Sequence, residues 1–211
     1  MADKPVLYGF DGSTYVRSVR MALRDKGIDY DQVPLNVLEG EPKLPEHLER
    51  HPFGKVPVMD VDGMRLLETD AILRYLEATH PSPSLVPDDA KDRARMNMAI
   101  SLINSYGYGN LVGAAGYHLF PDFLGNPSEE AYQGMLANGE KLLALLMEKK
   151  GSDTWLAGAQ PSLADYFLGP IVFYVAMSPA AEILLAPEAV NAWWEAMQGV
   201  PSFAATAPDL G

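Results

Sequence analysis

Cysteine is absent from the 211-residue sequence. Its absence excludes disulfides, thiolate metal sites, C-x-x-C redox chemistry and a cysteine nucleophile. Histidine is scarce as well, and its four residues are scattered without the spacing of metal ligands. The sequence therefore predicts a protein with no metal, in which each histidine is a surface or packing residue.

Basic residues are too few to balance the acidic ones. Sixteen Lys and Arg stand against 28 Asp and Glu, which gives a formal net charge of -12. An acidic surface repels phosphate backbones, so we expect no nucleic-acid partner. An anionic ligand would need locally placed cations or helix N-termini.

Long hydrophobic runs are also missing. The longest one, "DYFLGPIVFYVAM", is interrupted by Gly169 and Pro170 and is too short to cross a bilayer. The sequence does not begin with the charged and then apolar pattern typical of a signal peptide. We therefore expect a cytoplasmic protein with no membrane partner.

The first eighty residues alternate between strand and helix patterns. "PVLYGF" predicts a strand, "STYVRSVRMALRDKG" a helix with Gly27 as its stop, and "YDQVPLNV" (30–37) a second strand. "VPVMDV" and "MRLL" then form a hairpin at Asp62-Gly63, followed by a helix in "ETDAILRYLEATHP". The order βαβ and then ββα predicts a mixed sheet with helices packed on it.

The remainder of the sequence is predicted to be helical. "THPSPSLVPDD" (79–89) is rich in proline and serine, as linkers are. Ser162 and Asp165 have the spacing of an N-terminal capping box, and Asn126 is a predicted N-cap. The fold class is therefore α/β plus all-α, with an α/β domain at 1–80, a linker at 81–89 and an all-helical domain at 90–211. The helical spacing covers 90–118, 127–150, 162–178 and 187–199.

Pro57 stands where a strand begins, in "FGKVPVMDVDG". A proline cannot donate to a β ladder, so it is usual only at strand starts, edges and bulges. Two interpretations are open: an ordinary trans strand-start proline, or a cis proline that presents backbone groups to a ligand. Only about one X–Pro bond in twenty is cis, which favours the first from sequence alone.

Three segments together resemble a known family. "FGKVPVMDVDGMRLLETDAILRYLE" (53–77) is similar to the glutathione-site signature of the cytosolic glutathione transferases. "WLAGAQPSLADY" (155–166) resembles their helical-domain capping motif, and "LYGFDGSTYVRSVRMALRDKG" (7–27) their first strand and helix. The similarity is greatest to the serine-type phi class, whose features some bacterial members share. It implies a thioredoxin-like domain followed by a helical domain, glutathione as co-substrate, and a homodimer.

The resemblance implies that Ser13 activates glutathione. A free thiol has a pKa of about 8.5, so the protein must favour the thiolate. A hydroxyl at the start of a helix can donate a hydrogen bond to the sulfur, and the helix N-terminus adds positive potential. From sequence alone, Ser13 is equally a simple N-cap. Thr14 and Tyr15 are reserve candidates.

The resemblance also assigns residues around Pro57. It implies a cis bond that presents the backbone of Val56 to the cysteinyl part of glutathione. The Thr69 hydroxyl and the N–H groups of Thr69 and Asp70 would take the γ-glutamyl carboxylate, and Glu68 would orient that end. We predict Thr69 as the N-cap of its helix, while Asp70 is as readily structural as ligand-binding.

Lys43 and Lys55 are the local cations that the resemblance places at the glutathione site. Lys43 would meet the glycine carboxylate, and Lys55 would contact glutathione from the loop before Pro57. The alternative for each is a solvated surface lysine. Pro42 departs from the family pattern, because phi-class relatives often carry a histidine there.

The second substrate is expected to be apolar. Tyr106, Tyr117 and Phe120 lie in a segment rich in tyrosine and glycine, and with Phe10 and Gly12 they are predicted to line its pocket. The alternative is that these residues pack in the hydrophobic core and line no pocket.

The resemblance implies a detoxifying glutathione transferase whose thiolate attacks hydrophobic electrophiles. One alternative is other glutathione chemistry on the same scaffold, as in a peroxidase, dehalogenase, ether lyase or isomerase. Another is a binding protein without catalysis, because a fold does not determine a function.

Overall fold

The structure is a computed structural model and describes residues 4–209. The chain forms two compact units. Among the described residues, one unit contains residues 4–84 together with 201–209, and the other runs from Leu85 to Val200.

The first unit is built on a four-stranded mixed sheet, in the order β2 (Asp31–Val33), β1 (Val6–Tyr8), β3 (Val58–Val61) and β4 (Met64–Leu67). β1 pairs in parallel with β2, and β3 is antiparallel to both β1 and β4. Asp62 and Gly63 both have positive φ at the β3–β4 turn, as a tight hairpin requires. The helices between and after these strands are α1 (Thr14–Asp25), α2 (Pro45–Arg50) and α3 (Thr69–Thr79).

Helix α1 buries the apolar face that its sequence predicts. Val16, Val19 and Leu23 are completely buried. β2 is shorter than the predicted strand 30–37, because Pro34 cannot donate to the ladder and the pairing ends at Tyr8 and Val33.

A buried lysine ties the ends of α1 and α3 together. The Lys26 ammonium lies 2.6 Å from a Glu77 carboxylate oxygen, and it donates to the carbonyls of His80 at 2.7 Å and Pro83 at 2.9 Å. The Ser82–Pro83 bond is cis. These contacts hold the chain that follows α3, residues 80–83, in place.

The C-terminal segment belongs to the first unit. Helix α10 (Pro201–Ala205) packs on α1, where the Arg17 guanidinium lies 3.9 Å from the centre of the Phe203 ring and donates to its carbonyl at 2.7 Å. Ser202 donates to Asp25 at 2.8 Å. The structure therefore differs from the predicted division, which placed all of 90–211 in the helical domain.

The second unit is helical. No helix within residues 4–209 combines the length and the apolar character needed to cross a membrane. The elements are α4 (Ala90–Leu102), a π-helical turn (Ile103–Gly107), α5 (Tyr108–Leu119), α6 (Glu129–Lys150), α7 (Leu163–Ala176), α8 (Ala181–Leu184) and α9 (Glu188–Gln198).

Helix α7 is the central helix of this unit. Nearly all of its residues are buried, and it begins with the predicted capping box of Ser162 and Asp165. The Asp165 carboxylate also accepts hydrogen bonds from the Leu156 N–H at 3.0 Å and the Trp193 indole at 2.8 Å. Burial raises the pKa of Asp165, and the hydrogen bonds to its carboxylate oppose that shift.

Two helix boundaries differ from the predictions. The predicted helix 90–118 is interrupted by the π-helical turn, where a Cβ on Gly107 would lie 2.5 Å from the Leu142 side chain of α6. Helix α6 begins after Ser128, whose hydroxyl accepts from the Ala131 N–H at 3.2 Å. Asn126, the predicted N-cap, instead has a φ of 52° in the preceding turn.

Candidate active site

The loop between β1 and α1 is held from two sides. The Gln32 amide donates to the Gly9 carbonyl at 2.9 Å and to Asp11 at 2.8 Å. Arg20 lies 3.1 Å from the same Asp11 carboxylate. Phe10 and Gly12, predicted to line a pocket, are half-buried in this loop. The start of α1 is therefore fixed by groups that the sequence did not reveal as site residues.

Ser13 is the N-cap of α1. Its hydroxyl oxygen accepts from the Val16 N–H at 3.4 Å, which is longer than the usual 2.9–3.0 Å. The side chain is half-buried. Because the oxygen acts only as an acceptor in the cap, the hydroxyl proton remains able to donate to a ligand. Capping and thiol activation are therefore compatible roles for Ser13.

The two reserve candidates differ in their surroundings. The Thr14 hydroxyl is buried, and it has no hydrogen-bond partner in the part of the chain that the structure describes. Tyr15 is half-buried on α1.

The Val56–Pro57 bond is cis, the isomer that the family resemblance implies. Tyr8 and Val58 are the last paired residues of β1 and β3, so Val56 lies two residues before the paired part of β3. A Cβ on Gly9 would meet the Val56 Cβ at 3.3 Å and a Val16 methyl at 2.3 Å. Val56 thus lies beside the first turn of the helix that carries Ser13.

Helix α3 begins at Thr69, so the prediction of Thr69 as N-cap was wrong. Glu68 is the capping residue, and it has φ 69° and ψ 126°, which are rare for a residue other than glycine. No side-chain hydrogen bond caps the helix. Thr69 is buried, and Asp70 lies 3.1 Å from Arg74 one turn later. The N–H groups of the first turn therefore form a helix N-terminus suited to an anion.

The two predicted lysines lie on neighbouring segments. The exposed Lys43 donates to the Phe53 carbonyl at 2.9 Å. A Cβ on Gly54 would lie 2.6 Å from the Pro42 carbonyl, so only glycine fits this approach. Lys55 is exposed, and its carbonyl lies 2.8 Å from the His47 ring. The two cations thus belong to one connected loop region.

Two buried histidines support this region. His47 and His51 are 1% and 2% exposed. His51 lies 3.8 Å from Glu68, which connects the end of α2 to the start of α3. Both are packing residues, one of the two roles predicted for them, and the short spacing "HLERH" before "PFG" is the sequence signal that could have indicated them.

Three of the predicted pocket residues, Tyr106, Tyr117 and Phe120, lie in the helical unit. Tyr106 is 64% exposed on the π-helical turn. Tyr117 donates to Glu129 at 3.0 Å, and its ring stacks on Tyr132. The Phe120 ring packs edge-on against Tyr174 at 5.9 Å. The Tyr117 and Phe120 rings therefore have contacts of their own within that unit, whereas the Tyr106 side chain is exposed.

No group of three or more His, Cys, Asp or Glu side chains is placed to hold a metal ion among residues 4–209. The candidate site instead consists of a hydroxyl, a cis-proline turn, a helix N-terminus and two lysines.

Family models match both parts of the chain. A glutathione S-transferase N-terminal domain matches residues 7–84, and a glutathione S-transferase C-terminal domain matches residues 129–196.

Individual relatives are similar over nearly the whole chain. Glutathione S-transferase F13 of Arabidopsis thaliana is 28% identical, over 97% of this chain and 95% of its own length. A probable maleylacetoacetate isomerase of Caenorhabditis elegans is 33% identical, over 98% of this chain and 94% of its own. The crystal structure of maize glutathione S-transferase I with an atrazine glutathione conjugate has a TM-score of 0.82 and 28% identity, over 97% of both chains.

The sheet and the helical unit define a thioredoxin-like domain followed by an all-helical domain, which confirms the predicted fold class. The chain belongs to the glutathione S-transferase family. It is a glutathione transferase, an enzyme with glutathione as its co-substrate.

Proposed function

We propose that Ser13 activates glutathione for attack on a hydrophobic electrophile. The observation that carries the proposal is the half-buried Ser13 hydroxyl at the N-terminus of α1, close to the Val56 segment. A hydrogen bond from this hydroxyl and the potential of the helix N-terminus both favour the thiolate. The sulfur then attacks an electrophilic carbon, and the leaving group departs with the bonding electrons.

The rest of the glutathione site uses the groups around Pro57 and Glu68. The uncapped N-terminus of α3, with the Thr69 hydroxyl and the N–H groups of Thr69 and Asp70, would take the γ-glutamyl carboxylate. The exposed Glu68 carboxylate would take the ammonium. The Val56 backbone would pair with the cysteinyl unit as an added strand does.

Lys43 and Lys55 would serve the glycine end of glutathione. Both are exposed, and the Lys43 ammonium already reaches the loop that carries Lys55. In a chain with a net charge of -12, these cations supply the attraction that a carboxylate needs.

For the electrophile, we propose contacts with Phe10 and Gly12 in the first unit. In the helical unit, the proposed contacts are Tyr106, Tyr117 and Phe120. The exposed Tyr106 side chain supports this proposal. The test is conjugation of an activated aryl halide, followed by absorbance, together with calorimetry of glutathione binding. Binding without conjugation of any electrophile in a panel would favour a glutathione-binding protein without catalysis.

Replacing Glu68 by glutamine is expected to raise the dissociation constant of glutathione about tenfold. The substitution keeps the shape of the side chain but removes the charge that faces the ammonium, and charge-assisted hydrogen bonds are the stronger kind. The rate at saturating glutathione should change little. Calorimetry and steady-state kinetics measure the two effects.

Glu39→Gln is the matched control, because Glu39 is exposed in the same unit and outside the proposed site. It should bind glutathione as the wild type does. Equal affinity in all three proteins would remove Glu68 from the site.

A second candidate function is glutathione-dependent isomerisation. The 33% identity to the probable maleylacetoacetate isomerase exceeds the 28% identity to the Arabidopsis transferase. In such a reaction the thiolate adds to a conjugated carbon–carbon double bond, the resulting single bond rotates, and elimination restores the double bond. Glutathione is regenerated, so the same activated thiolate would serve both reactions.

Glutathione consumption separates the two candidates. Maleylacetoacetate and an activated aryl halide are supplied in separate reactions. In each reaction both the substrate turnover and the remaining free thiol are measured. Conjugation consumes one thiol per turnover, whereas isomerisation leaves the thiol concentration constant. Turnover of the aryl halide alone would exclude the isomerase.

A cytoplasmic homodimer is the proposed assembly, on the strength of family membership. The Phe53 side chain supports an interface, because this large apolar residue is 74% exposed. Light scattering at micromolar concentration should give twice the 23.0 kDa mass of one chain. A mass of one chain would count against the homodimer.

A further inference from the structure

His51 is a buried histidine at the edge of the proposed glutathione site. It ends α2, and its N–H donates to the His47 carbonyl at 2.8 Å. Its ring meets the Phe53 ring edge-on at 6.2 Å. Only 2% of the residue is exposed, so its position is set by packing.

The hydrogen bonds of the ring determine its tautomer. The Phe53 N–H donates to His51 Nδ1 at 3.3 Å, so Nδ1 acts as an acceptor and carries no proton. In the neutral ring the proton is therefore on Nε2. Nε2 is the atom that lies 3.8 Å from a Glu68 carboxylate oxygen, so the N–H dipole is on the side of that carboxylate.

Glu68 needs such an orienting group. Its side chain is 77% exposed, and exposed long side chains sample several rotamers. Its backbone φ is 69°, so the main chain is constrained, whereas the exposed carboxylate can occupy several positions. His51 provides a fixed positive dipole from the protein interior toward that carboxylate.

We propose that His51 positions the Glu68 carboxylate for the ammonium of glutathione, and that its protonation weakens glutathione binding below neutral pH. The inference rests on the proposed role of Glu68 as the ligand of that ammonium. His51 is a positioning residue, because it acts through Glu68.

The groups that face His51 set its protonation. Burial lowers its pKa most, and the Glu68 carboxylate opposes that shift. His47 from α2 and Lys55 from the following loop lower the pKa further. The balance is a pKa below the ordinary 6.5, so the ring is neutral at neutral pH and gains its charge only in acid.

Protonation would change both contacts of the ring. A charged His51 attracts the Glu68 carboxylate and competes with the glutathione ammonium for it. Protonated Nδ1 also becomes a donor, and it can no longer accept from the Phe53 N–H. The affinity for glutathione is therefore highest with His51 neutral, and it falls as the pH falls through the lowered pKa of the ring.

Free glutathione does not titrate in this range. Its carboxyls have pKa values of about 3 to 4, and its amine and thiol titrate above about 7.5. The bound thiol, whose pKa Ser13 is proposed to lower, adds a pH dependence that wild type and a His51 variant share, so the difference between the two proteins reports His51.

The experiment compares wild type with His51→Asn. Asparagine keeps an acceptor for the Phe53 N–H at the position of Nδ1, and it does not titrate. The control is His80→Asn, the same change at the exposed C-terminal end of α3. Calorimetry gives the dissociation constant of glutathione for each protein between about pH 5 and 7.5.

From about pH 7 to 5, the wild-type dissociation constant is expected to rise about three- to tenfold. This is the size of effect expected from changing one partly exposed charge contact. His80→Asn should follow the wild type, and His51→Asn should show a clearly smaller rise than the wild type. At pH 7, the rate of His51→Asn at saturating glutathione should stay within about twofold of wild type.

Histidine NMR gives a readout that does not depend on the stability of the variant. The ring resonances of the four histidines are titrated with and without glutathione, and His51 is assigned with His51→Asn or His51→Gln. Glutathione should lower the pKa of His51, because the bound ammonium occupies Glu68.

An unchanged His51 pKa on glutathione binding would overturn the inference, as would the same pH dependence in wild type and His51→Asn. The proposed function would still stand if glutathione binds and Glu68→Gln weakens it. Failure of the wild type to bind glutathione at any pH would instead overturn the proposed function itself.

Discussion

Replacing Ser13 by alanine should leave glutathione bound and lower the conjugation rate by about 10- to 100-fold. A hydrogen bond to a charged group contributes about 1.5–3 kcal/mol, and each 1.4 kcal/mol is a factor of ten. The Ser13 hydroxyl accepts only a long bond of 3.4 Å from the Val16 N–H, so its proton is available to the sulfur. The tripeptide would keep its other contacts, so affinity should change much less than rate.

The loss should appear directly in the ionisation of the bound thiol. In wild type, the thiolate absorbance of bound glutathione should titrate well below the free value of about 8.5. In Ser13→Ala the bound pKa should move back toward that value, because the helix N-terminus remains but the hydroxyl donor is gone. Equal bound pKa values in the two proteins would remove Ser13 as the activating group. Thr14, with its buried hydroxyl, would then be tested in the same way.

Ser128→Ala is the matched control for the capping role of Ser13. Ser128 caps α6 through a bond of 3.2 Å to its oxygen from the Ala131 N–H, so its loss removes a cap of the same kind. Both variants should lose about 1 kcal/mol of stability in urea unfolding. Only Ser13→Ala should lose conjugation. A matching loss of activity in Ser128→Ala would indicate a stability effect rather than a chemical one.

Replacing Asp165 by alanine should be the most destabilising of the changes considered, at about 4 kcal/mol or more. Asp165 is completely buried and accepts four hydrogen bonds. Alanine would leave the buried N–H groups of Leu156 and Trp193 without this acceptor, and each such loss costs about 1–3 kcal/mol. It would also remove the capping box of the central helix α7.

Urea unfolding followed by tryptophan fluorescence measures the effect, since the Trp193 indole is one of the affected donors. Ser162→Ala removes the hydroxyl of the same capping box and should cost only about 1 kcal/mol. If Asp165→Ala does not fold, Asp165→Asn is measured in its place. Asparagine keeps the shape of the side chain but loses the charge. A loss below about 1 kcal/mol for Asp165→Ala would show that its hydrogen bonds are not needed for the fold.

The sequence predicted elements wherever a local pattern agreed with the final packing. Helix α1 and its buried face follow from the spacing of Val16, Val19 and Leu23. The β3–β4 hairpin follows from Asp62-Gly63, because these residues tolerate the positive φ of a tight turn. The capping box of α7 follows from Ser162 and Asp165 at a spacing of three residues. In each case the physical cause lies within a few residues.

Boundaries were mispredicted where distant residues determine the backbone. The π-helical turn lies where α6 approaches Gly107 closely, which nothing near that glycine in the sequence indicates. Glu68, rather than Thr69, precedes α3, because the chain enters that helix from β4 with a φ of 69°. Helix α10 joins the first unit through Arg17 and Phe203, which are far apart in sequence.

The sequence by itself determined the kinds of chemistry available: no thiol of its own, few cations, and a serine at the start of a helix. Together with the family resemblance, it also identified most of the proposed glutathione contacts. Only the tertiary structure decided how these residues are held. Gln32 and Arg20 fix the loop before Ser13 across the sheet and along α1, and His51 meets Glu68 from another helix. The physical reason is that burial and hydrogen-bond partners depend on residues brought together by folding, whereas capping, turns and helical faces depend on near neighbours.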